Sequence, residues 1–169
     1  MKNDMIINAR NILLILFACC LLTPLTSCKK ASEKASEKMI EKSIGNDADV
    51  NIDDEKVTVK TEEGTFTSDA SARTWPSAIP NEIPKFKYGN IINVTSQEAE
   101  EMTGWIVMFE NIKESDLKSY QADLEAKKFN INSITSYNQG GLLTAEKDNM
   151  VVTVMIGDGN ASINLAIEK

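Results

Sequence analysis

The chain contains no histidine. A general base with a pKa near 7 would have to be a carboxylate or a lysine shifted by its surroundings, and Ser-His-Asp chemistry is excluded. Cysteine is as scarce. All three, Cys19, Cys20 and Cys28, fall near the amino end, so nothing after Cys28 forms a disulfide. No apolar run approaches the roughly 20 residues a helix needs to cross a bilayer; the longest, Ile12 to Leu22, has eleven. Positive charge is in deficit, with 18 basic against 25 acidic residues. An acidic chain is a poor partner for nucleic acid, whose binding rests on neutralised phosphates.

What the first segment does have is an order. Lys2 and Arg10 supply a positive start, the eleven apolar residues follow, and Pro24 breaks the run. This is the layout of an export signal. The next residues, Leu25-Thr26-Ser27-Cys28, resemble the lipobox of bacterial lipoproteins: an aliphatic residue, two small ones, then cysteine. The resemblance implies a signal peptide over 1–27, cleavage before Cys28, a thioether-linked diacylglycerol on that cysteine and acylation of the new amino terminus. Two or more acyl chains hold a protein stably on a membrane, whereas one does so only marginally. Cys19 fits less well, because the bulky Phe17 stands where a small residue is expected. Losing Lys2 and Arg10 takes 18 basic residues to 16, and losing Asp4 takes 25 acids to 24, leaving a net charge of −8. The expected location is the cell envelope, outside the cytoplasm. Lys29 after the cysteine, where Asp would mark inner-membrane retention, resembles an outer-membrane destination in two-membrane bacteria.

Residues 28–46 read as a lipidated helical stalk. Ala-Ser-Glu-Lys occurs at 31–34 and again at 35–38, and Met39, Ile40 and Ile44 offer apolar surface near the end. At 1.5 Å per residue its helix over 29–44 is about 24 Å long, with Gly45 as its stop. Residues 47–70 alternate apolar and acidic positions (Val50, Ile52, Val57, Val59, Phe66), with breaks at Asp53-Asp54 and Glu62-Glu63-Gly64. They predict an acidic β meander with one apolar face, followed by a linker. Pro76, Pro80 and Pro84 then recur every four residues and predict an extended strap.

Residues 71–169 form the expected C-terminal domain. Strands are predicted near 86–95, 104–112, 130–137, 142–147, 150–156 and 161–168. Gly157-Asp158-Gly159-Asn160 marks a tight hairpin and Gly140-Gly141 a turn. Ser115 is the expected N-cap of a helix over 116–127 that presents Leu117, Tyr120 and Leu124 on one face. The fold class that follows is α+β: a mainly antiparallel sheet with one packed helix, preceded by the stalk and the meander. The run from the lipobox through the Ala-Ser-Glu-Lys helix to Gly64-Thr65-Phe66-Thr67 resembles small uncharacterised bacterial lipoproteins with a domain of unknown function, a similarity of composition over most of the mature chain. That resemblance carries no activity and no acting residue.

Asp47, Asp49, Asn51 and Asp53 have the spacing of a calcium loop, but Ile52 and Thr58 stand where such a loop needs glycine and glutamate. The run reads as the solvated face of a strand, and neither metal nor cofactor is expected. Trp75, Phe86 and Tyr88, at the two ends of the strap, are the expected binding surface; the bland reading is a clasp packed on the sheet. The function that follows is a non-enzymatic binding or interaction module of the envelope. Its partners would be the membrane, through lipid on Cys28, and an envelope glycan or protein. The alternatives are a hydrolase using paired carboxylates and a structural spacer or inhibitor. A hydrolase requires converging acids in a cleft, a binding module an exposed apolar patch, and a spacer neither.

Overall fold

The computed structural model describes residues 26–44, 48–137 and 140–169. Residues 1–25, which hold most of the expected signal peptide, lie outside the described residues together with Gly45 and Asp47, as does the side chain of Cys28. Among the described residues two helices are present, α1 (Thr26–Ile44) and α2 (Glu114–Ala126). The strands are β1 (Asp49–Asp53), β2 (Lys56–Thr61), β3 (Gly64–Asp69), β4 (Asn90–Ala99), β5 (Met102–Glu110), β6 (Asn130–Tyr137), β7 (Gly140–Lys147), β8 (Met150–Gly157) and β9 (Asn160–Glu168). The chain divides into two compact units, residues 1–36 and 37–169. The second holds the end of α1 and the whole sheet.

All nine strands join one antiparallel sheet in the order β1-β2-β3-β4-β5-β9-β8-β7-β6. Most neighbours are sequence neighbours joined by short turns, as alternating strands with polar breaks dictate. At Asp158-Gly159 both residues have positive φ, +50° and +76°, which is the geometry of the hairpin turn expected there. The exception to simple order is β9, which inserts between β5 and β8. The expected boundary at 70–71 runs along the sheet rather than between bodies, because β3 pairs with β4.

One face of the sheet, here the helix face, is covered. Leu117, Tyr120 and Leu124 of α2 are buried against it, as their spacing predicts. Beneath lie Val107, Ile163, Val154 and Leu143, which are cross-strand neighbours in one row. The strap covers the β4–β5 end. Its Ile79, Ile83 and Phe86 are buried, and the Phe86 ring packs 4.8 Å from Phe109 and 5.0 Å from Tyr120.

Four local expectations change. The strand predicted from 86 begins only at Asn90. Gly89, at φ +63°, turns the chain where a Cβ would lie 2.2 Å from the Glu110 carbonyl. Gly140-Gly141 is not a turn but the start of β7. A Cβ on Gly140 would meet the Tyr137 ring at 2.7 Å, and one on Gly141 would meet Leu117 at 2.5 Å, so both glycines let side chains lie flat on the strand. The cap of α2 is Lys113, not Ser115: the Asp116 carboxylate accepts the Lys113 amide at 2.8 Å, leaving the serine no capping role. Finally, α1 meets β1 through carboxylates rather than through Met39, which is 71 % exposed. Glu37 accepts the Ile52 amide at 2.9 Å and Glu41 the Val50 amide at 3.4 Å.

Candidate functional site

The strap residues come together, but mostly inward. Phe86 is 3 % exposed and sits in the core. Tyr88 is half-buried with its ring 5.1 Å from Phe86, and its hydroxyl donates to Asp123 at 3.2 Å. Burial pushes the Tyr88 pKa up. Trp75 is also half-buried against the core. Hydrogen bonds fasten the strap to α2: the Tyr120 hydroxyl donates to the Pro84 carbonyl at 2.8 Å, and Lys127 Nζ to the Asn81 carbonyl at 3.2 Å. Lys87 pairs with Asp123 at 3.1 Å, and that hydrogen bond raises its pKa. These contacts pin the strap to α2 and the core, and of its three aromatics Trp75 and Tyr88 keep exposed surface.

The acid run takes the other side of β1 from Val50 and Ile52. Register sets Asp49 opposite Lys60 and Asp53 opposite Lys56, so these two acids each have a cross-strand base in a solvated ladder. Among the described residues, no cluster of three or more acids could hold a metal ion. No helix among them is long and apolar enough to cross a membrane.

The unexpected feature is the second face of the sheet, which no described residue covers over β4, β5, β9 and β8. Register defines its rows. One runs Ile52–Val57–Ser68–Thr95–Ile106–Asn164–Thr153–Thr144–Ser133 across all nine strands. The next runs Asn93–Met108–Ser162–Met155–Leu142–Thr135. Neither row contains a charged residue, in a chain that is 25 % charged. A third row, Val50–Val59–Phe66–Gln97–Gly104–Ala166–Val151–Glu146–Asn130, has one charge, towards its far end.

Large apolar side chains stand on this face in the open. Phe66, Met102, Ile106, Met108 and Met155 are 36–52 % exposed. Between them Gly104 and Ala166 contribute almost no bulk, which leaves a hollow of about 250 Å³ bordered by Phe66, Met102, Ile106 and Val151. The polar side chains on the face are partly paired with one another. Asn93 and Thr95 both donate to Ser68 Oγ, at 3.3 and 3.4 Å, Thr95 contacts Asn93 at 3.1 Å, and Asn164 donates to Ser162 at 3.4 Å. Such groups lose less on being covered than groups that depend on water.

No known protein family, curated protein or solved structure matches the chain.

The open face therefore rests on its own chemistry, and that chemistry suits adhesion. Charge depletion marks the centre of protein interfaces, and methionine adapts its shape to what it meets. At about 4.8 Å between strands and 7 Å between rows, the three rows over β4, β5, β9 and β8 span roughly 19 Å by 20 Å, or about 400 Å². That is half of the about 800 Å² that each partner gives to a standard interface. The sequence carried one signal for this face. Met102 to Phe109 and Met150 to Ile156 are apolar at most successive positions, which means strands apolar on both sides. The clean alternation of β9 drew attention to its buried side instead.

Proposed function

We propose that this chain is a lipid-anchored, extracytoplasmic interaction module that docks an exported protein on the open face of its sheet. The observation that carries the reading is the pair of charge-free rows bearing Ile106, Met108 and Met155, exposed beside the Gly104–Ala166 hollow. A surface of this kind selects a partner that is itself uncharged and apolar at its centre, because an unpaired charge pressed against it would lose its hydration without compensation. Contact of this size needs no catalyst, and lipid on Cys28 confines the encounter to the membrane surface.

Two experiments test the two halves. For docking, a photo-crosslinking side chain replaces Met108 in the full chain within its native envelope. The expected result is a discrete adduct with a second protein. The adduct disappears when Ile106→Asp is added, while the melting temperature holds. The same probe at Lys60, on the charged side of β2, gives none. Equal adducts at both positions, or none at Met108, would overturn the docking reading. For the anchor, Cys28→Ser is expected to leave an unlipidated chain of precursor size, whereas Cys19→Ser and Cys20→Ser are processed normally. Labelled fatty acid entering the Cys28→Ser chain would sink the assignment.

A further inference from the structure

The two edges of the sheet are finished in opposite ways. At the β1 edge, the amides of Val50 and Ile52 are taken by Glu41 and Glu37 of α1, so the strand offers few free donors. At the other end, β6 pairs only with β7 among the described residues. Its sequence is Asn-Ile-Asn-Ser-Ile-Thr-Ser-Tyr, with no lysine, no proline and no charge of either sign. Residues 132–137 are all exposed, and Ile134 is 44 % exposed although it stands opposite the buried Leu143. Proteins commonly guard such edges with lysine, proline or a covering segment, because a row of free N–H and C=O groups recruits another strand. The single guard on β6 is the register slip between Ile131 and Ser133. Beyond it, Ser133 to Tyr137 pair regularly with β7, which leaves five consecutive residues flat and available.

We propose that β6 pairs antiparallel with β6 of a second copy of this chain, joining two sheets into one. Charge argues for a copy as the occupant. Antiparallel pairing about a two-fold axis sets each strand against itself, so any charged residue would meet its own kind. In β6 there is none. The same operation on β1, centred on Asn51, would set Asp49 against Asp53 twice over. The faces also match. Ser133 and Thr135 share the open face, Ile134 and Ser136 the helix face, through their register with Thr144, Leu142, Leu143 and Gly141. A two-fold axis through Thr135 pairs Ser133 with Tyr137, Ile134 with Ser136 and Thr135 with its own copy. It uses the whole regular stretch, keeps each face continuous and gives a favourable Thr–Thr pair. It also covers Ile134.

The axis makes Thr135 its own partner, which gives a direct test on the full chain. Thr135→Cys is expected to form a disulfide-linked species of twice the chain mass on mild oxidation. Asn51→Cys on β1 and the unsubstituted chain, which share Cys28, are expected to give none. Adding Ile134→Lys, a guard residue, should abolish the linked species without moving the melting temperature. In detergent solution the unsubstituted chain should sediment as a dimer that dissociates on dilution, and the Ile134→Lys chain as a monomer. The proposal is overturned by any of three results: a monomeric unsubstituted chain at a few hundred micromolar, a Thr135→Cys link that survives Ile134→Lys, or a link from Thr135→Cys to a different protein.

Discussion

Tyr120 shows how one side chain can join the layers of this molecule. Its ring is buried under the strap, and its hydroxyl holds the Pro84 carbonyl. Burial keeps the phenol far above its ordinary pKa of 10.0, since the ionised form would lose its hydration. A pKa raised on folding stabilises the protein fully below the unfolded value and loses that stabilisation as pH climbs past it. The melting temperature is therefore expected to hold between pH 7 and 9 and to fall from about pH 10 upward. Tyr120→Phe should cost about 1 kcal/mol at pH 7 for the lost hydrogen bond and should flatten the alkaline fall. The Tyr88 phenol, also raised by burial, leaves a residual slope. Thermal melts across pH check both. Trp75→Ala should lower stability by about 2 kcal/mol, less than a fully buried tryptophan would, while the crosslink from Met108 persists. Loss of that crosslink at unchanged stability would make Trp75 a contact instead. At this scale aromatic positions are legible in sequence, but burial is not. Nothing local distinguishes Phe86, under α2, from Tyr88 two residues on.

Among the elements, α2 was the most legible, because Leu117, Tyr120 and Leu124 repeat at helical spacing and all three are buried. Its ends were less so. A carboxylate at Asp116 reaches back to the Lys113 amide, so the helix starts before the serine that has the better capping propensity. At the other end Lys128 takes φ +67°, while the Phe129 amide returns to the Leu124 carbonyl at 3.0 Å. A left-handed residue with a side chain pays a steric penalty that glycine escapes. Lys128→Gly is therefore expected to raise stability by about 0.5–1 kcal/mol, read as an upward shift in melting temperature. The edge of β1 gives a sharper test. In Glu37→Ala the amide of Ile52 loses its acceptor, and its hydrogen exchange should accelerate while amides in β8 stay protected. Unchanged exchange at Ile52 would mean that the carboxylate does not guard this edge.

For the whole molecule, the buried cluster is confined to residues between Ile79 and Leu165, although the sheet begins at Asp49. A fragment of residues 71–169 is thus expected to keep cooperative unfolding, because α2, the strap and the strands they cover all lie within it. It should also be less soluble, since removing β3 bares the full hydrogen-bonding edge of β4. Circular dichroism and light scattering check the two expectations. An unfolded spectrum would show that the meander stabilises the core through pairing alone.

The sequence by itself determined much of what is local here: most of the strands, the Asp158-Gly159 turn, which side of α2 is buried, and that β1 alternates acids with aliphatics. Each depends on residues within a few positions of one another, through side-chain period, turn chemistry or capping. The resemblance of Leu25-Thr26-Ser27-Cys28 to a lipobox is local in the same sense. Pairing decided the rest. That β3 lies beside β4, and that β9 inserts between β5 and β8, depends on residues far apart in the chain and on closing long loops. The open face exists only through those pairings. Alternation says that Ile106, Met155 and Asn164 point away from their buried neighbours, but only the assembled sheet brings them side by side. Among the described residues, α2 and the strap pack on the opposite side and leave them uncovered.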